Sequence, residues 1–243
     1  MNRLGEFLDR QEPTMAVTIT RHTSPENTKS ILGLEIDPVA EIRADTYYSH
    51  DVGFFVRTAG MFRSLPTLLT IRSAEENGGW NDTESKRLDL YTKLIPHYDG
   101  VDVEIASSIL PEVIGVAHNL GKVVIASSHD FGGTPPAQRL EDLHGQAQAT
   151  GADYTKIAAS AKTGAEYRRL KTFTKNNQNV IVVAMDRYGL LSRIALPGLG
   201  SHLTYASSSS SELVAQGQMN YEDTDLRLRK VYPGYAELAN SNE

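Results

Sequence analysis

Cysteine is absent from the 243 residues, which excludes disulfides, thiolate nucleophiles and cysteine-ligated zinc or iron–sulfur centres. It leaves the compartment open, and a reducing cytosol is compatible with it. The seven histidines contain no H-E-x-x-H or comparable cluster, so no metal site is expected. Long apolar runs are missing too. The longest, Val180–Met185, falls far short of the about 20 residues a membrane-spanning helix needs, and no membrane partner is expected. Positive charge is in deficit, with 24 Lys and Arg against 30 Asp and Glu for a net charge of −6. No basic footprint marks a nucleic-acid partner, and a small anionic ligand would need local arginines. There is neither a G-x-G-x-x-G after a strand nor a Walker loop, so a nucleotide-binding open sheet has little support.

What is present is a recurrence of short apolar, β-branched runs. They are Ala16–Thr20, Ile31–Ile36 with Val39–Arg43, Thr67–Ile71, Val101–Ile105, Val123–Ser127, Asp153–Ile157, Val180–Met185 and His202–Ala206. Helix-like segments separate them, with boundary chemistry of their own. Asp82 and Thr83 can cap Glu84–Ile95, and Thr134 before Pro135 and Pro136 suits a helix start running through Leu143. Thr163-Gly164-Ala165-Glu166 has the form of a capping box, and Gly121 stops the segment Ile114–Leu120. Continuously apolar strands alternating with helices imply a parallel sheet covered by helices. Eight such units in a chain of this length favour a single-domain α/β fold, a closed (β/α)8 TIM barrel. Residues 1–15 carry Arg3, Glu6, Asp9, Arg10 and Glu12 without an apolar core. They read as an N-terminal extension of uncertain structure, not as a signal peptide. The serine run at 207–211 reads as a loop after the last strand.

Lys156 stands inside Ala152-Asp153-Tyr154-Thr155-Lys156-Ile157-Ala158-Ala159, where the pattern asks for a buried strand. An ammonium left unpaired there loses hydration, which favours the free amine that attacks carbonyls. None of the other eight lysines has such a setting. His129 follows the apolar run Val123–Ser127 one unit earlier, suited to take and return a proton at neutral pH. Ionisable side chains end most of the other runs: Glu41 and Arg43, Arg72 with Glu75 and Glu76, Asp102 and Glu104, and Arg193. In a barrel those ends share one mouth, so the residues converge. The arginines around an amine predict a small anionic substrate bearing a carbonyl. Taken singly, each residue has a plainer reading: a strand-end lysine snorkels to water, an arginine pairs with an acid, a histidine is satisfied in the core. Asp102 or Glu104 can merely pair inside the barrel.

Together the pieces resemble a known family. Glu41-Ile42-Arg43-Ala44-Asp45, Thr70-Ile71-Arg72-Ser73, Val101-Asp102-Val103-Glu104 and Ser127-Ser128-His129-Asp130-Phe131 with Thr134-Pro135 come first. Ala152-Asp153 through Lys156-Ile157-Ala158, Met185 with Gly189 and Ser192-Arg193, and Gly200-Ser201 with Leu203-Thr204-Tyr205 follow in order. Their sequence, and the spacing of His129 from Lys156, resemble type I 3-dehydroquinate dehydratase from about Ala16 to Gln218.

The resemblance implies a cytoplasmic, usually homodimeric lyase of the shikimate pathway that needs no metal or organic cofactor and acts on 3-dehydroquinate. Lys156 matches the Schiff-base lysine, His129 the general acid–base and Glu76 the glutamate beside it, although Asn77 separates Glu76 from Gly78-Gly79. Arg193 matches the carboxylate-recognising arginine. Glu41, Arg43 and Arg72 match positions that hold the ring hydroxyls, and Gln218 is retained. Thr18 stands where the family has a serine of the first strand. The family's closing Ser-Ala-Pro-Gly-Gln reads Val214-Ala215-Gln216-Gly217-Gln218 here. Two other functions share parts of the pattern: a class I Schiff-base aldolase, and a non-catalytic barrel that binds quinate-like ligands.

Overall fold

Runs such as Val180–Met185 offer no polar face, and they are buried along their whole length as parallel strands. The computed structural model describes residues 2–210 and 217–242. Its strands are β1 (Met15–Ile19), β2 (Val39–Arg43), β3 (Thr67–Thr70), β4 (Gly100–Glu104), β5 (Val123–Asp130), β6 (Tyr154–Ser160), β7 (Val180–Met185) and β8 (Thr204–Ser207). β1 to β7 pair in sequence order and β1 also pairs with β8. Between β7 and β8 a bridge joins Val180 to Ser201, and the Val182 N–H donates to the Ser201 hydroxyl at 2.9 Å. The result is a nearly closed (β/α)8 barrel.

The helices are α1 (Arg3–Leu8), α2 (Pro25–Leu32), α3 (Val52–Met61), α4 (Glu84–Leu94), α5 (Leu110–Asn119), α6 (Ala137–Thr150), α7 (Gly164–Asn176), α8 (Gly189–Ala195), α9 (Tyr221–Val231) and α10 (Pro233–Glu237). Thr83 caps α4, and Thr163 with Glu166 closes a full capping box on α7. None of the helices among the described residues is long and apolar enough to cross a membrane.

Three segments differ from their sequence reading. Ile31 and Leu32 end α2 instead of opening a strand, because Ser24 caps a helix with Pro25 at its first position. Only Val39–Arg43 forms the second strand. α6 starts at Ala137, after both prolines: a residue that precedes proline is driven to extended backbone, so Pro135 cannot be helical. Thr134 donates its hydroxyl to the Ser160 carbonyl at 2.7 Å and caps nothing. The helix then continues past Leu143 to Thr150, where Gly151 takes φ +90°. The serine run begins inside β8, with Ser207. Ser211, Val214 and Gln216 lie outside the described residues.

Residues 2–9 form the floor of the barrel. Leu4, Phe7 and Leu8 of α1 pack against Ala16, Val39, Leu68, Ile125, Tyr154 and Ile181, which point inward from the lower strands. Gly100 lets this happen, since a Cβ there would stand 2.5 Å from Leu4. Asn2 caps α1 and donates its amide to the carbonyls of Asp99 and Gly121 at 2.8 Å. Asp9 accepts from the Tyr154 hydroxyl at 2.6 Å. The segment is therefore part of the core. Leu4→Ala is expected to cost about 2–5 kcal/mol of stability in urea denaturation, and to leave ligand binding at the opposite, upper end intact.

Candidate active site

Side chains along a strand alternate between faces, so every second residue enters the barrel. Above the apolar floor the next inward positions are Thr18, Glu41, Thr70, Asp102, Ser127 and Lys156. Above these come Arg43, Arg72, Glu104 and His129. Lys156 pairs across the sheet with Ser127, placing His129 one inward step nearer the mouth on the adjoining strand. Thr18, Glu41, Arg43, Arg72, Glu76, His129, Lys156, Arg193 and Gln218 all line one cavity of about 120 Å³.

Lys156 is buried, at 5% exposure, but it is not unpaired. Its ammonium donates to Asp102 at 2.9 Å and stands 4.0 Å from Glu41. Burial works against the Asp102 carboxylate, but Arg72 and then Lys156 hold it well below the usual range. Arg72 donates to Asp102 at 2.7 Å, to Glu104 at 2.9 Å and to the Ser127 hydroxyl at 2.8 Å. Glu104 in turn accepts from Arg87 at 2.6 Å. Buried charges of alternating sign thus run from Lys156 through Asp102, Arg72 and Glu104 to Arg87 on α4. Glu41 accepts hydroxyl protons from Thr18 at 2.8 Å and Thr70 at 3.0 Å, so the Thr18 hydroxyl is committed to Glu41.

His129 lies within β5, and its Nδ1 meets Glu76 at 2.7 Å while its backbone N–H donates to the same oxygen at 3.0 Å. Burial, followed by the positive charges of Arg72 and Lys156, pulls the imidazole well below its ordinary range. It is neutral at pH 7. Glu76 is pushed up to about 7 by burial, with Glu104 and Asp102 adding to the effect against Arg72. When Glu76 is ionised, Nδ1–H donates to it and the Nε2 lone pair is left as a base.

Glu76 reaches this place on a loop that folds back tightly. Gly78 and Gly79 make that approach: a Cβ on Gly78 would stand 2.1 Å from the Arg72 carbonyl oxygen, and one on Gly79 2.2 Å from that of Asp45. Asn77, at φ +57°, turns the chain just before them. Arg43 forms a bidentate pair with Asp45 at 2.9 Å, and Asp45 accepts the Gly79 N–H at 2.9 Å.

Arg193 is on α8 and not at a strand end. Its guanidinium donates to the backbone carbonyls of Tyr205, Ala184, Gly189 and Gly217. No carboxylate pairs with it among the described residues, and burial pulls it down to about 10. This is a fixed positive charge at the cavity with room for an anionic partner. Sequence reasoning undervalued Asp102 and passed over Arg87. Asp102 sits two residues from Glu104 on one strand face, a signal that was present. Arg87 is on an amphipathic helix, where nothing local marks it as fully buried.

The family described as Type I 3-dehydroquinase matches residues 15–232. A 3-dehydroquinate dehydratase of Methanosarcina barkeri is 32% identical over 235 residues, covering 92% of this chain and 96% of the relative. Another, from Pyrococcus abyssi, is 34% identical over 170 residues, 69% of this chain and 77% of its own length. The crystal structure of the 3-dehydroquinate dehydratase from Aquifex aeolicus superposes with a TM-score of 0.81 at 28% identity, over 90% of this chain and 99% of that one.

Because Glu76 titrates higher folded than its ordinary 4.5, folding favours its protonated form. That contribution is full below the ordinary carboxyl range and is lost as pH rises through about 7. Glu76→Gln, which stays neutral, should gain stability relative to the parent as pH is raised from 5 to 8 in parallel denaturant titrations. An unchanged difference across that range would refute the assignment.

Proposed function

The chain belongs to the type I 3-dehydroquinase family, and we propose that it converts 3-dehydroquinate to 3-dehydroshikimate through a Schiff base on Lys156, with His129 as general acid and base. The observation that carries this reading is the shared cavity: a buried amine beside Asp102, and one inward step above it a neutral imidazole held by Glu76.

The Lys156 amine adds to the substrate ketone, and loss of the ketone oxygen as water gives a protonated imine. Ionised Glu76 holds the His129 proton on Nδ1, so Nε2 removes a proton from the carbon next to the iminium; the C–H electron pair forms a carbon–carbon double bond while the C=N π pair moves onto the nitrogen, giving an enamine. Glu76 stabilises the imidazolium so formed. The pair then returns to expel the hydroxyl group, which leaves as water with the proton His129 delivers. One group serving both transfers requires both on the same face, hence syn elimination. Water adds to the product imine, and its breakdown releases the enone and regenerates Lys156.

Arg193, charged and without an acidic partner among the described residues, is the candidate to take the substrate carboxylate. Glu41, Arg43, Arg72, Thr18 and Gln218 line the pocket, where Glu41 and Arg43 are the candidates to meet the ring hydroxyls. For Arg72 and Thr18 the donors are largely engaged within the protein, which favours a role in shaping over direct binding. The family likeness also carries the expectation of a cytoplasmic homodimer, which light scattering of the purified protein would test for association. The class I aldolase alternative leaves the His129–Glu76 pair without a task.

Borohydride added with 3-dehydroquinate should leave a reduced adduct on Lys156, located by peptide mass mapping, and enone absorbance should report product. Lys156→Ala should abolish both. His129→Ala should keep the adduct while turnover falls by about 10²- to 10⁴-fold. Ligand binding with neither adduct nor product in the parent protein would overturn the reading in favour of a non-catalytic binder. The rate should rise as pH passes through about 7, where Glu76 loses its proton, and Glu76→Gln should remove that limb from the profile.

A further inference from the structure

Tyr205 has no part in the steps above, yet it touches the reacting nitrogen. It is an inward residue of β8, 6% exposed, and its ring lines the cavity. The Lys156 Nζ stands over that ring, 4.0 Å from its centroid. Its hydroxyl is sealed from solvent and has no hydrogen-bond partner among the described residues. Burial, then Glu41 and Asp102, push the phenol well above its ordinary range, so it stays a neutral phenol. What Tyr205 offers the site is the face of its ring.

That face matters because of what happens to the nitrogen. As an ammonium, Lys156 has three N–H donors, directed to Asp102 at 2.9 Å and towards Glu41 at 4.0 Å. On condensation the C=N bond forms, the ketone oxygen leaves as water, and the nitrogen keeps its positive charge with a single N–H. Contacts that depend on hydrogen count weaken at this step. A ring face attracts charge, whatever the number of N–H bonds, and a flat, weakly hydrated cation in a desolvated site suits it better than a compact ammonium. The unpartnered hydroxyl points the same way, since a buried polar group without a partner destabilises the fold, which leaves the ring as the part of the side chain with a use at this place.

Resting on the Schiff-base reading above, we infer that Tyr205 is a further catalytic residue, whose ring face stabilises the Lys156 iminium by a cation–π contact. It shields one side of the nitrogen from water and shifts the partition between free amine plus ketone and protonated imine towards the imine.

The test replaces Tyr205 with phenylalanine and then with 4-fluoro-, 3,5-difluoro- and 3,4,5-trifluorophenylalanine, which drain the ring face at nearly constant shape. Borohydride-trapped imine at subsaturating 3-dehydroquinate and kcat/KM are read for each. Tyr205→Phe keeps the ring, serves as the reference for the fluorinated series, and should unfold at the same or a higher temperature than the parent, since the unpartnered hydroxyl is gone. Trapped imine and kcat/KM should then fall stepwise, reaching about tenfold for the trifluoro ring, with unfolding temperature unchanged along the fluorinated series. A flat response, with the parent still trapped on Lys156, overturns the role of Tyr205 and leaves the Schiff base standing. A parent protein that forms no adduct overturns both.

Discussion

Asp102 is the carboxylate on which the upper half of the barrel depends. It accepts from Lys156 on one oxygen and from Arg72 on the other, and so joins the reactive amine to a chain of charges that reaches the outer helices. Lys156, Arg72 and Arg87 are matched by Glu41, Asp102 and Glu104, all with side chains at most 6% exposed. Three positive and three negative charges cancel in a space with little water. Losing one member of a buried pair typically costs about 3–5 kcal/mol, because the survivor is left uncompensated. The fold holds its lysine deep in the barrel by setting Asp102 and Glu41 beside it.

The same network tunes the proton chemistry. Burial first, then the charges of Arg72 and Lys156, lowers the imidazole of His129, and burial first, with Glu104 and Asp102 adding to it, raises the carboxyl of Glu76 that orients it. Those effects require Glu76 to come back over the barrel mouth, and this is done by the loop of Gly78 and Gly79 and by the Arg43–Asp45 pair that receives the Gly79 N–H. Residues grouped in the sequence reading as substrate contacts therefore divide by what they touch. Arg43 and Arg72 brace carboxylates of the protein, whereas Arg193 has backbone carbonyls and no carboxylate as partners among the described residues and keeps its charge available.

Much of the architecture was legible because strand burial on both faces leaves an unmistakable composition. Val123–Ser127 and Val180–Met185 show it most clearly. The failures come from short-range chemistry that composition does not separate. Ile31–Ile36 is as apolar as a strand, but Ser24-Pro25 had already started a helix. Pro135-Pro136 resembles a helix start until the second proline forbids the first from being helical. The N-terminal residues were opaque because Leu4, Phe7 and Leu8 acquire meaning only against the ring of inward side chains that they cover.

By itself the sequence determined the alternation of strands and helices, the absence of thiol chemistry, and the candidacy of Lys156 and His129, since period-two burial and strand ends are local properties. Their family pattern was legible for the same reason, being a series of short motifs in order. Only the tertiary structure decided that Lys156 is matched by Asp102, that His129 leans on Glu76, that Arg193 projects from a helix, and that Tyr205 lies against the lysine nitrogen. Each of these joins residues from different strands or loops. A barrel brings them together through the stagger and closure of its sheet, which no local stretch of sequence encodes.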